Sequence, residues 1–332
     1  MRLDRKMKDR QHPLEAYFAM TKDTAQLLLE GYYNLTTFGE SSEQKARYFD
    51  ANLNIHSYPL RIADYFVGDV FKNLYGYFDT DLHVNGDINN PNIGGKMHLI
   101  KGGFTVDYLK TTYTFNKGDV VVDNFLFDMS DMLLYDKRKN RAQLDGGIRH
   151  DHLRRFGFNA TLRTIEPFLA LDTKKGDNEQ FYGQAIGMGK INFSGSFQRP
   201  DISVNAAVGE GSRLVIPVSN ERKVGQFEFV KFVEKTPQKD KKDEDDRELT
   251  GVGIDLDITV QRGAEIQIIF NEQSGDVIKG AGRGAVQISV PRGGDFKMFG
   301  EIVIDEGEYL FTLYNLFNKG FRVKEGGTLT WN

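Results

Sequence analysis

Gly307-Glu308-Tyr309-Leu310-Phe311-Thr312-Leu313, Lys319-Gly320-Phe321-Arg322-Val323 and Gly326-Gly327-Thr328-Leu329-Thr330-Trp331 close the chain as three strand-length segments. In each, apolar side chains recur at alternate positions, and polar or charged ones fill most of the places between. A strand repeats every two residues, so this pattern presents one greasy face and one wet face. The alternation runs through most of the 332 residues: Val120/Val122, Phe125/Phe127, Ile191/Phe193, Ile202/Val204/Ala206, Leu214/Ile216/Val218, Ile254/Leu256/Ile258/Val260, Ile266/Ile268/Phe270 and Val286/Ile288/Val290 read as strands. From Ile254 onward, Asp255, Asp257 and Thr259 occupy the opposite face, which must meet water.

Helix signals are scarce. Residues 59–66 (Pro-Leu-Arg-Ile-Ala-Asp-Tyr-Phe) predict two turns opened by a proline, and residues 22–30 fit helix or strand equally. Hydrophobic residues make up 39% of the chain and mean hydropathy is -0.46, while Gly (35) and Phe (25) are abundant. Apolar side chains are therefore spread as stripes, as in elongated β architectures. The length suffices for a sizeable core.

Net charge is -4 with scattered Lys and Arg, which excludes the electrostatic footprint of a nucleic-acid binder. Zero cysteines exclude disulfides and thiolate metal sites. No apolar run reaches the length that spans a bilayer, and the first residues lack the apolar core of a signal peptide. Two readings follow, a cytoplasmic protein or a fragment of a longer one, and the last strand running to Asn332 without a polar tail favours the fragment.

Two internal echoes point to a repeated unit. Val84-Asn-Gly86-Asp-Ile88-Asn-Asn-Pro91-Asn-Ile93 and Phe193-Ser-Gly195-Ser-Phe197-Gln-Arg-Pro200-Asp-Ile202 share apolar-x-Gly-x-apolar-x-x-Pro-x-Ile. Gly95, Met97, Leu99, Gly102, Phe104 and Val106 are matched in spacing by Gly300, Ile302, Ile304, Gly307, Tyr309 and Phe311. Both read as strand, turn, strand, with glycines permitting positive φ at the turns. Residues 235–248 are a mixed-charge, low-complexity excursion that cannot bury a core.

Chemistry is mostly lacking. His150-Asp151-His152 places two imidazoles on one strand face, the one spacing that suggests a metal, but no third ligand accompanies it; the expected metal and cofactor content is none. Gly280-Ala-Gly282-Arg-Gly284 resembles a phosphate loop without its Lys-Ser/Thr ending and reads as a hairpin turn. No nucleophile elbow or zinc-hydrolase motif occurs, and Asp255 and Asp257 serve a wet sheet face better than glycoside chemistry. The expectation is a non-enzyme. Judged by pattern alone, the apolar stripe fits the core of a sandwich or closed solenoid.

Residues 181–195 (Phe-Tyr-Gly-Gln-Ala-Ile-Gly-Met-Gly-Lys-Ile-Asn-Phe-Ser-Gly) and the terminal segment from Gly307-Glu-Tyr309 through Phe321, Gly326-Gly327 and Trp331 resemble the C-terminal module of TamB-family translocation and assembly proteins. His12-Pro13-Leu14-Glu15, Gly31-Tyr32-Tyr33-Asn34-Leu35 and Leu109-Lys-Thr111-Thr112-Tyr113 resemble upstream parts of such proteins. The resemblance implies an all-β fold, a long antiparallel sheet curled into an elongated open trough, the β-taco, with an apolar concave face and few short helices. It divides the chain into residues 1–180, an upstream part of a continuous trough, and residues 181–332, a TamB-like C-terminal module, with residues 235–248 a flexible insert.

It further implies a periplasmic protein, anchored in the inner membrane by a segment absent here, that works with a TamA-like outer-membrane barrel and moves phospholipid acyl chains passively between the membranes. The alternative role is assembly of outer-membrane or autotransporter proteins. A carbohydrate-active β-solenoid is a further rival, but it would need aromatics and paired carboxylates on an outer face. Within the trough reading, strand parity assigns the lipid-binding lining to Ile191, Phe193, Ile202, Val204, Leu214, Ile216, Ile254, Leu256, Ile258, Val260, Ile266, Ile268, Val286, Ile288, Ile302, Ile304, Tyr309, Phe311 and Leu313. Partner contact falls to Phe321, Val323, Leu329 and Trp331 on the terminal strand. Some twenty strands about 4.8 Å apart imply a sheet on the order of 100 Å long.

Overall fold

The computed structural model describes residues 14–22, 25–34, 48–68, 70–87, 89–177, 181–217, 252–271, 275–292, 297–313 and 317–331. Residues 235–248 and Val218 lie outside them. Alternation fixes strands β1 (Leu14–Lys22), β2 (Ala25–Asn34) and β3 (Tyr48–Pro59), then a 3-10 helix (Leu60–Ala63) and α1 (Asp64–Val67). There follow β4 (Phe71–Asp87), β5 (Asn90–Val106), β6 (Thr111–Val122), β7 (Leu126–Asp128), β8 (Met132–Tyr135), β9 (Arg141–Asp151), β10 (Arg154–Thr164), β11 (Phe168–Thr173) and β12 (Tyr182–Ser196). The chain ends with β13 (Arg199–Val208), β14 (Arg213–Pro217), β15 (Gly253–Val260), β16 (Glu265–Asn271), β17 (Asp276–Val290), β18 (Lys297–Leu313), β19 (Phe317–Val323) and β20 (Thr328–Trp331). All twenty belong to one sheet. The helical turn opened by Pro59 forms as expected, and of the ambiguous residues 22–30, Lys22 ends β1 and residues 25–30 open β2.

Five pairs of strands are halves of single interrupted ribbons: β7 with β8, β10 with β11, β13 with β14, β15 with β16, and β19 with β20. The bonding at Ile186 of β12 shows how. Its N–H donates to Ser212 Oγ at 2.9 Å and its carbonyl accepts from Gly209 N at 3.3 Å, so β13 and β14 run along the same edge of β12 with residues 209–212 bulged between them. β15 and β16 repeat the bulge alongside, where Gln261 N reaches Val208 O and Glu265 N reaches Ser212 O. Traced by neighbours alone, β12, β13, β15, β17, β16 and β14 form a closed six-strand circuit. That circuit surrounds the bulges.

Counted as ribbons the twenty strands become fifteen rungs, each bonded to its neighbour in sequence. At about 4.8 Å per rung the sheet extends roughly 70 Å, shorter than the sequence implied, because interrupted ribbons count once. Pairing is antiparallel except where β13 and β14 meet β15 and β16 in parallel. More than thirty residues separate Pro217 from Gly253. A parallel neighbour needs a crossover of a dozen or more, and this connection supplies it.

The internal echoes are the same hairpin built twice. Val84 pairs with Ile93 and Gly86 with Pro91; Phe193 pairs with Ile202 and Gly195 with Pro200. Gly86 and Gly195 have φ of 100° and 84°. In the second echo Gly95 (φ 144°) and Gly300 (φ 132°) hold equivalent places in two 17-residue strands, each with a neighbouring carbonyl, of Asp81 or Ala285, where a Cβ would stand. Gly280, Gly282 and Gly284 correct an expectation. They lie inside β17 rather than in a hairpin turn, because the bare α-carbons let the β18 backbone approach at Glu306, Val303 and Glu301.

The sheet curls until distant rungs touch across its concave face. Phe71 of β4 packs edge-on against Phe158 of β10 with ring centroids 5.9 Å apart, and Tyr113 of β6 stacks on Phe168 of β11 at 5.0 Å. Phe78, Leu99, Val120, Leu134, Leu162, Phe168, Ile191 and Ile202 join in one core cluster that runs from β4 to β13. The outer face carries cross-strand pairs such as His98–Asp119 at 2.7 Å, Arg163–Asp145 at 3.3 Å and Lys279–Glu308 at 3.5 Å, worth little singly in water. Replacing Gly300 by Val should lower stability by about 3 kcal/mol in a urea titration, since positive φ and a blocked carbonyl act together.

Candidate functional site

Inward parity concentrates on β12 through β17. Ile254, Leu256, Ile258 and Val260 point into the trough, while Asp255, Asp257 and Thr259 are exposed on its back, where Ser289 donates to Asp255 at 2.7 Å. The inward side chains enclose a cavity of about 160 Å3. Twelve residues of the sequence-predicted lining converge on it: Ile191, Ile202, Val204, Leu214, Ile216, Ile254, Leu256, Ile258, Val260, Ile266, Val286 and Ile288. Gln184, Ser212 and Glu265 are the polar exceptions that matter; Ser212 is already bonded at both N–H and carbonyl of Ile186. An apolar space of this size stays dry and takes up hydrocarbon in preference to water.

The remaining predicted residues lie elsewhere on the concave face. Phe193 belongs to a second cavity, of about 170 Å3, walled by β5, β6, β8, β9 and β10. Ile268, Ile302 and Ile304 gather in a small cleft with Val323 and Leu329. Tyr309 and Phe311 form an aromatic cluster with Phe270 and Phe321, at centroid distances of 6.2 to 6.3 Å. Trp331 packs beside the cluster around Val286 and Ile302. Thus the side chains assigned to partner contact turn to the trough. The Leu313 side chain lies outside the described residues.

Sequence reasoning missed the second cavity. Its lining includes Leu99, Phe104, Tyr113, Phe115, Leu134 and Leu162, and the signal was present: β6 reads Tyr113, Phe115, then Val120, Val122, with parity reset between. Tyr113 and Phe168 mark the waist between the two cavities. The Tyr113 hydroxyl donates to Leu169 O at 3.2 Å, and burial holds its phenol far above the ordinary range. Asp136, 1% exposed, ties this waist to the next turn by accepting from Leu169, Arg138 and Asn140 N–H at 2.8 to 2.9 Å.

The histidine pair does not share a strand face. β9 ends at Asp151, and His152 turns away at φ 48° with its Nδ1 donating to Pro91 O at 2.8 Å. His150 is buried among Phe127 and Phe156, and its Nδ1 accepts from Leu153 N at 3.0 Å. That bond requires the neutral tautomer, and burial lowers the His150 pKa against the opposing charge of Asp123. Among the described residues no three metal-binding side chains come together, and no helix is long and apolar enough to cross a membrane.

A group protonated more readily when unfolded removes stability as pH falls through its unfolded value of about 6.5. The protein should therefore lose stability between pH 7 and pH 5, and His150→Phe should flatten that part of the profile in urea titrations at a series of pH values.

The model of the TamB C-terminal domain family matches residues 129–332, and no curated protein or solved structure matches the chain.

Proposed function

Because the chain belongs to the TamB C-terminal domain family, whose members are transport and assembly components of the cell envelope and not enzymes, we propose that its trough carries phospholipid acyl chains between the inner and outer membranes, in the periplasm. The observation that supports this reading is the convergence of inward side chains from successive ribbons on apolar cavities, with most charges on the sheet's back. Each buried methylene gains about 0.8 kcal/mol. Within each cavity a chain sliding from one rung to the next exchanges like contacts for like, so movement there is passive and needs no energy source. The polar head group stays in water at the open side.

The terminal ribbon supports a second role. β19 and β20 bond to β18 on one edge, and among the described residues no strand covers the other. An uncovered edge pairs with an incoming strand through backbone hydrogen bonds that tolerate many sequences. We assign to it the docking of a TamA-like barrel strand or of an outer-membrane client.

Charge placed in the trough separates these readings. Ile258→Asp should leave a folded protein that no longer co-purifies with phospholipid, whereas Asp257→Asn on the wet face should retain it, both read by mass spectrometry of organic extracts. Equal lipid in the parent and Ile258→Asp would sink the acyl-chain reading. Photo-crosslinks from the Thr328–Trp331 edge should capture barrel strands whether or not lipid is bound.

A further inference from the structure

The one helical segment of the described chain sits inside the trough, between β3 and β4. Leu60, Ala63 and Val67 form part of the wall of the upstream cavity, facing Phe71, Phe158 and Phe193. Its other side, with Arg61, Ile62, Asp64 and Tyr65, borders a wider opening of about 860 Å3 shared with Met20 and Tyr58. A single segment thus stands between a wider, partly polar vestibule on the β1–β3 side and a narrower, apolar chamber.

Its fastening is slight. The 3-10 helix and α1 are four residues each, and neither cap has a side-chain hydrogen bond. Helices this short have no stability of their own. The segment is held across the trough by Leu60, packed on the main core, and by Val67, 7% exposed, which joins Phe158 and Phe197 in one small cluster with Ala63 and Val70 beside it. Its vestibule side leaves Ile62 44% and Tyr65 90% exposed beside the Arg61–Asp64 ion pair, so each flank offers apolar side chains, the vestibule flank with charges among them. Val67 occupies a place that suits hydrocarbon, and hydrocarbon entering from the vestibule competes for the same phenylalanines.

Resting on the acyl-chain reading above, we propose that residues 60–67 are a gate in the trough: closed when Val67 seats on Phe158, opened when an acyl chain displaces it, so that passage from the vestibule to the chamber requires the segment to lift. The exposed Ile62 and Tyr65 give the arriving chain its first apolar contact.

The chain has no cysteine, so Val67→Cys with Phe158→Cys supplies a unique thiol pair in the full chain. A short reagent that joins two thiols through a reducible bond locks the segment down, and a reductant releases it in the same molecules, which controls for folding. The probe is a palmitic acid carrying a diazirine, with photo-adducts mapped by mass spectrometry. In the locked protein, adducts on Leu134 and Leu144 of the chamber should fall to background while those on Met20 and Tyr58 persist, and reduction should restore them. Val67→Ala, with no crosslink, should speed chamber labelling. Chamber labelling that is equal in the locked and reduced protein would overturn the gate and leave the groove standing. Absence of adducts in both states, vestibule included, would overturn the groove and the gate with it.

Discussion

Side-chain parity is the constraint on which the rest of this molecule depends. In a strand, a single extra residue sends every later side chain to the opposite face, so a ribbon interrupted on its own would turn its greasy side outward. Here the interruptions are matched. Residues 209–212 face residues 261–264, four against four, and opposite Ala281 and Gly282 of β17 the β18 strand carries one extra residue, Asp305. Ile302 and Ile304 are even, Tyr309 and Phe311 odd, yet all four stay on the concave side. The matched bulges form one crease through the downstream half of the sheet, and they let it curl without breaking the apolar stripe.

The same parity decides what the trough can do. With Asp255, Asp257, Arg163 and Lys279 held on the back, the interior offers little charge with which to grip a polar ligand, Glu265 at the rim of the downstream cavity aside, and contact area dominates. Contact area is indifferent to chemical detail, so such a surface discriminates little between one apolar guest and another. The waist at Tyr113 and Phe168 and the helical segment at Val67 are places where the molecule fills its own interior, and they divide an otherwise continuous furrow into compartments.

Strand periodicity made most of this architecture legible in the residues. The alternation at Ile254–Val260, the paired glycine and proline of the two hairpins and the proline before Leu60 each carried local physics that the folded chain obeys. The interruptions were not legible, because Gly209-Glu-Gly211-Ser212 and Gln261-Arg-Gly263-Ala264 have the composition of hairpin turns, and only the partner ribbon decides whether such a stretch turns back or continues. Gly280, Gly282 and Gly284 misled for the same reason: glycine serves a turn and a close approach alike. His152 left its strand because the hairpin tip came one residue earlier than the alternation suggested. The upstream cavity escaped notice because β5 and β6 reset parity midway, at Lys101 and around Asn116, which blurs the stripe when it is read in one register.

Nearly every ribbon bonds to the one made just before it, which has a bearing on how such a protein is born. A chain threaded end-first into a new compartment can lay down each rung on the last without waiting for distant sequence, and loop closure stays inexpensive throughout. The exception is the parallel seam, where β15 must await a return of more than thirty residues before it finds β13. Growth of the sheet pauses there, with the fresh edge of β13 and β14 bare until β15 and β16 arrive.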